Sequence, residues 1–265
     1  MSFSLHPGDV PLLVSIPHLG TGIPQPLRAG FVPRALEVED ADWHLDRLYA
    51  FVRDLGASVL QPTVSRYVID LNRPPDDTPM YPGASNTELC PTRFFNGDAL
   101  YQDGQAPSPE ARLRRREQYW APYHQALEAE LARIRARHGF ALLWDAHSIR
   151  SEIPWLFDGR LPDLNIGTAG GASAHASITD AVARAAARHP RVTHVVNGRF
   201  KGGYITRHYG APAEHVHAVQ LEMCQCLYMR EAPPWDYDEA RAAAVQPVLR
   251  DMVEAALSAC RSLYA

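Results

Sequence analysis

Short apolar runs alternate along this chain with stretches whose apolar residues recur every three or four positions. The runs over 11–16, 57–61, 67–71, 141–145, 192–196 and 216–223 are each bounded by Gly, Pro, Asn or Asp, and they predict strands. Several are hydrophobic nearly throughout rather than alternating, which predicts strands covered on both faces. Leu45, Leu48, Val52 and Leu55 form one apolar stripe, predicting a helix that ends near Gly56. Ser108-Pro109-Glu110 reads as an N-cap, a first-turn proline and a first-turn acid. The helix it opens should run to His138-Gly139 and be kinked or divided at Pro122. Further helices are expected over 172–189 and 237–263. Strands alternating with helices predict an α/β fold, a mixed, mainly parallel sheet flanked by helices on both faces, here as one domain spanning 1–265.

The stretch 72–107 breaks this rhythm. It carries Pro74, Pro75, Pro79, Pro82, Gly83, Pro91, Gly97 and Gly104, and a loop of that length inside a compact domain is expected to serve as a wall or lid over a site.

Composition narrows the function. A net charge of -4 gives no footing for nucleic acid or a membrane surface, and no run is long and apolar enough to span a bilayer. The N-terminus has no basic region followed by an apolar stretch, so a cytoplasmic protein is expected. Four cysteines do not make a disulfide framework, and Cys224-Gln225-Cys226 has no second pair at zinc-finger spacing; buried, unreactive thiols are expected.

The chemistry concentrates at strand ends. In open α/β sheets ligands bind outside the carboxyl ends of the strands. His18 follows the first predicted strand and His147 the run at 141–145. Three protein donors and an open position make a hydrolytic metal site, so a third ligand is needed. Asp42 or Asp46, four residues apart, would supply it; Asp145 could orient His147 from behind. Alternation over 216–223 puts Val216, Ala218, Gln220 and Glu222 on one face, and a carboxylate ending so apolar a strand suits a general base tuned by burial. Arg66, Arg73 and Arg207 offer planar forks for carboxylates, the last within Lys201-Gly202-Gly203-Tyr204-Ile205-Thr206-Arg207. No G-x-S-x-G elbow or nucleotide fingerprint is present.

Taken together, Pro17-His18-Leu19-Gly20, Asp42-Trp43-His44-Leu45-Asp46-Arg47, Ser65-Arg66-Tyr67-Val68-Ile69-Asp70-Leu71-Asn72-Arg73, Trp144-Asp145-Ala146-His147-Ser148, Lys201 to Arg207 and Gln220-Leu221-Glu222-Met223 resemble the N-formylglutamate amidohydrolase family over nearly the whole chain. Leu19 departs from the serine or small residue many relatives carry there. The family is similar in fold to zinc carboxypeptidases and aspartoacylase-like deacylases. That resemblance implies one Zn2+ held by His18, Asp42 or Asp46, and His147, with Glu222 as base. It implies an Asn72-Arg73 grip on a substrate carboxylate. For a substrate with two carboxylates, Arg207 is expected to be the second cationic clamp, Arg66 to stabilise the oxyanion, and Tyr204 and Thr206 to lie near the substrate. The activity implied is hydrolysis of N-formyl-L-glutamate, a small molecule, at the last step of histidine degradation. The alternatives are a related metal-dependent deacylase of another N-acyl amino acid or small peptide, or a non-catalytic carboxylate-binding protein. The latter would have no use for a general base.

Overall fold

The computed structural model describes residues 2–80 and 87–265. Among the described residues, seven strands form one sheet: β1 (Phe3–His6), β2 (Leu12–Ser15), β3 (Ser58–Pro62), β4 (Ala141–Ile149), β5 (Leu164–Gly167), β6 (His194–Val196) and β7 (Val216–Cys224), in the order β1-β3-β2-β4-β7-β5-β6. The four central strands β3, β2, β4 and β7 are parallel; β1 joins β3, and β5 joins β7, antiparallel. The sheet is therefore mixed and mainly parallel.

Each face has its own core. Leu12, Val14, Leu142, Trp144, Ala146, Val219 and Leu221 point to one side, against α6 (Ala176–Ala187) and α8 (Glu239–Leu263). Leu13, Ala141, Leu143 and Ala218 point to the other, against α5 (Ala121–His138) through Tyr123, Leu127, Leu131 and Ile134. Burial of both faces explains the near-continuous apolar runs of β2 and β4. Among the described residues, no helix is long and apolar enough to cross a membrane.

The predicted helix from Ser108 is divided as Pro122 suggested. Ser108 accepts from the Ala111 amide at 3.2 Å and opens α4 (Pro109–Arg115), a π turn follows over Arg116–Trp120, and α5 ends at Gly139 with φ +81°. The stripe from Leu45 forms two short pieces, α2 (Leu45–Leu48) and α3 (Phe51–Asp54), joined by tighter backbone bonds such as Ala50 N to Arg47 O.

Residues 67–71 are not a strand. Ser65 accepts from the Tyr67 amide through its hydroxyl and from the Val68 amide through its carbonyl, and Asp70 Oδ1 accepts from the Asn72 amide. These local bonds take up backbone groups that a ladder would have used, while the apolar side chains pack under the sheet. Strand β5 had too weak an apolar signal, interrupted by Asn165, to be expected. Of the proline- and glycine-rich stretch, residues 81–86 lie outside the described residues; its flanks are tied down by bonds such as Asp70 N to Leu89 O (2.7 Å) and Leu100 N to Thr92 O (2.9 Å).

Candidate active site

Parallel register brings the chemistry together. Asp145 pairs with Gln220 and His147 with Glu222 across β4 and β7, so all four project from one face, that of Ala218 and Leu143. Nearer the start of the strands this face is packed by α5; at their carboxyl ends it opens into a cavity of about 330 Å³. His147 thus lies within β4, which runs four residues past the predicted end.

His18 enters from the turn after β2, where Gly20 passes so close to Val64 that a Cβ would stand 2.2 Å from its carbonyl oxygen. The same turn holds Asp42, whose amide donates to the His18 carbonyl at 3.0 Å. His18 Nδ1, His147 Nδ1 and Asp42 Oδ2 converge. The two nitrogens lie 3.2 Å apart, and the oxygen is 3.6 and 3.2 Å from them. All three residues are buried. Asp46, in the first turn of α2, is exposed and takes no part in this cluster.

A carboxylate lies behind each histidine. Asp70 Oδ1 is 2.7 Å from His18 Nε2, and Asp145 Oδ1 is 3.2 Å from His147 Nε2, with Asn72 Nδ2 at 3.0 Å from the same nitrogen. Carboxylate–histidine pairs of this kind orient ligating rings and raise their basicity. With Asp70 at Nε2, Nδ1 is the ring nitrogen that His18 presents to the cluster. Asp70 is held well below the usual carboxylate range: burial opposes ionisation, but the charges of His18, Arg66 and Arg73 outweigh it. Asp42 is likewise lowered, through His147 and His18 against the cost of burial.

The cluster fits a cation. Its donor set is two imidazole nitrogens and a carboxylate oxygen, the choice of a zinc site with an open position. Asp42 Oδ1 is buried with no hydrogen-bond partner among the described residues. The surroundings favour positive charge here: burial of His147 opposes protonation, but Asp145 and Asp42 outweigh it and hold the ring well above the ordinary histidine value. A metal ion would supply that charge without a proton between two ring nitrogens.

Glu222 is 8% exposed and lines the cavity. Burial pushes its carboxyl up to about 8, against the pull of His147 and Arg66. Arg66 spans the cluster and its support, with Nη1 3.2 Å from His18 Nδ1, Nη2 donating to Asp70 at 2.6 Å, and Phe95 under the guanidinium. Asn72 and Arg73 also line the cavity. Asn72 is clamped between elements: its Oδ1 accepts from the Ile205 amide at 2.8 Å, and Gly203 fits so tightly that a Cβ there would stand 2.2 Å from Asn72 Nδ2.

The remaining expectations fall differently. In α7 (Tyr204–Tyr209), Thr206 is buried and donates to Asp145 Oδ2 at 3.0 Å, so it supports the carboxylate behind His147 from outside the cavity. Tyr204 and Arg207 line a separate shallow depression with Pro74, Thr78 and His208, and Arg207 Nε donates to the Gly202 carbonyl. Arg199, which no motif singled out, lines the main cavity; a lone arginine in a glycine-flanked loop leaves no periodic or spacing signal. Asp70 lies in a segment whose apolar composition predicts a strand, which conceals its place behind His18.

Fold and site define a class: a mainly parallel α/β hydrolase with a buried His–Asp–His cluster able to hold a metal ion, and a glutamate facing it in a small arginine-walled cavity. The family model described as N-formylglutamate amidohydrolase matches residues 10–229, and the chain belongs to that family. It is 52% identical over 255 residues to N-formylglutamate deformylase of Pseudomonas putida, covering 96% of this chain and 95% of that one. It is 51% identical over 258 residues to N-formylglutamate deformylase of Pseudomonas aeruginosa, covering 97% of both. The crystal structure of N-formylglutamate amidohydrolase from Ralstonia eutropha JMP134 is similar at a TM-score of 0.80 and 26% identity, covering 98% of this chain and 97% of that one.

Proposed function

We propose that this protein hydrolyses N-formyl-L-glutamate to formate and L-glutamate. The observation that carries the reading is Glu222 beside the His18–Asp42–His147 cluster, in a chain half identical to deformylases acting on that substrate. The cavity is at the small end of the ~300–1,000 Å³ range of ligand pockets, which suits a single acylated amino acid.

His18 Nδ1, Asp42 Oδ2 and His147 Nδ1 would hold one divalent ion, with zinc the best match to the donors. When bound, the ion polarises the formyl oxygen and acidifies water. Glu222 takes the proton from the attacking water and delivers it to the departing amine nitrogen, the two halves of general acid–base catalysis. Burial raises this carboxyl in the metal-free site and a bound cation would lower it again, the balance a group needs to take a proton and then give it up. Arg66 directs its guanidinium at the oxygen on which negative charge develops, and its pairing with Asp70 fixes it there in advance. Asn72 and Arg73 bind the α-carboxylate, next to the scissile amide. Thr206 keeps Asp145 aligned behind His147. The reaction would be the last step of a histidine degradation route in the cytoplasm, and four free thiols agree with a reducing compartment.

The test is formate release from N-formyl-L-glutamate before and after chelation, and again after zinc is restored. Loss on chelation with recovery on zinc is expected; release that survives verified metal removal overturns the mechanism.

A further inference from the structure

A substrate with two carboxylates calls for two cationic partners, and the cavity wall holds three arginines at different depths. Arg66 is buried and engaged with Asp70 and His18 at the reacting end. Arg73 is half-buried, beside Asn72, and so close to His147. Arg199 is exposed at the rim, with Leu156 and Phe200. Arg73 and Arg199 have no carboxylate within 4.0 Å among the described residues.

Although exposed, Arg199 is held in place. Its loop is pinned on one side by Asn197, whose Oδ1 accepts from the Thr168 amide at 2.8 Å and whose Nδ2 donates to Thr168 Oγ1 at 2.9 Å. On the other side, Lys201 O accepts from the Ala169 amide at 2.6 Å, and the Gly203 amide donates to Gln220 Oε1 at 2.6 Å. The side chain is steadied by Nη2 donating to the Leu156 carbonyl, with the guanidinium 5.3 Å from the Phe157 ring. Among the described residues that is its one hydrogen bond, leaving other donors of the fork for a ligand.

In N-formyl-L-glutamate the α-carboxylate lies next to the scissile amide, while the γ-carboxylate is two methylenes further out. With the formyl group at the cluster, the γ-carboxylate reaches toward the rim. Resting on the substrate reading above, we propose that Arg199 binds the side-chain carboxylate and sets the preference for an acidic N-formyl amino acid over its neutral amide. Arg207 lines the separate depression with Tyr204 and His208 rather than this cavity.

The zinc-loaded protein, Arg199→Ala and Arg199→Lys are compared on N-formyl-L-glutamate and N-formyl-L-glutamine, with metal content and circular dichroism checked for each. Deleting a charge-assisted hydrogen bond should lower kcat/KM on the glutamate substrate by about 10- to 100-fold, mostly through KM. The glutamate-to-glutamine ratio should collapse by a similar factor, and Arg199→Lys should recover part of it, as a point charge without the fork. A ratio unchanged in Arg199→Ala overturns the assignment while leaving the deformylase reading intact, as does an equal loss on both substrates. Wild-type protein that releases no formate from N-formyl-L-glutamate overturns the substrate reading, and this assignment with it.

Discussion

Replacing Glu222 by glutamine removes the proton acceptor while keeping its shape, and the structure sets the size of two effects. The first is on stability. Burial raises the Glu222 carboxyl from 4.5 to about 8, roughly 5 kcal/mol against the ionised form at ~1.36 kcal/mol per pKa unit. A carboxyl raised on folding stabilises the folded state fully below its unfolded value of 4.5, and that stabilisation is lost as pH climbs through 8. Between pH 6 and pH 8 the unfolded chain has released a proton that the folded chain still holds. Metal-free wild type should therefore lose roughly 2 kcal/mol across that window through this group. Glutamine does not titrate, so metal-free Glu222→Gln should decline less steeply by about that amount. Urea denaturation of both proteins at the two pH values measures the difference. The second effect is on turnover: the zinc-loaded variant should bind metal normally and lose about 10²- to 10⁴-fold in kcat, the usual contribution of a general base. A cation beside Glu222 lowers its value, so the acid limb of kcat/KM for the loaded wild type should fall below pH 8. Equal pH slopes for the two metal-free proteins would refute the burial argument. Undiminished turnover would remove Glu222 from the chemistry.

Three other perturbations probe the support of the site. Asp145→Asn removes the charge behind His147, and zinc affinity by chelator competition should weaken about 10- to 100-fold; unaltered affinity would make Asp145 a packing residue only. Gly203→Ala forces a Cβ against Asn72, and kcat/KM should fall between about 10- and 100-fold while the fold survives; wild-type kinetics would mean that Asn72 needs no such cradle. Trp144→Ala empties the core beneath β4 and should cost about 3–5 kcal/mol in denaturant unfolding, against a much smaller change if that side of the sheet collapses to fill the space.

How far the sequence reaches can be followed residue by residue. The apolar runs of β2, β4 and β7 are visible because burial on both faces demands them, and alternation within β7 puts Glu222 on the face of Ala218 without any structure. Ser108 and Gly139 mark the ends of the long helical arm through local capping. The two histidines stand out because they end such runs. What periodicity cannot report is which groups meet across the chain. Asp42 and Asp46 look equivalent when a helix is assumed to hold both; α2 starts only at Leu45, so Asp42 stays in the turn bonded to His18 while Asp46 faces solvent. Tyr67 to Leu71 has strand composition, yet side-chain bonds from Ser65 and Asp70 bend it, and that bend delivers Asp70 to His18. Arg199 reaches the cavity through a loop fixed by Asn197 and Gln220-bound Gly203, contacts made by residues distant in sequence. The sequence determined which segments are buried and which residues can do chemistry, since hydrophobicity and capping act locally. Tertiary structure alone decided the partners of each charge, because a charge is placed by whatever packs around it.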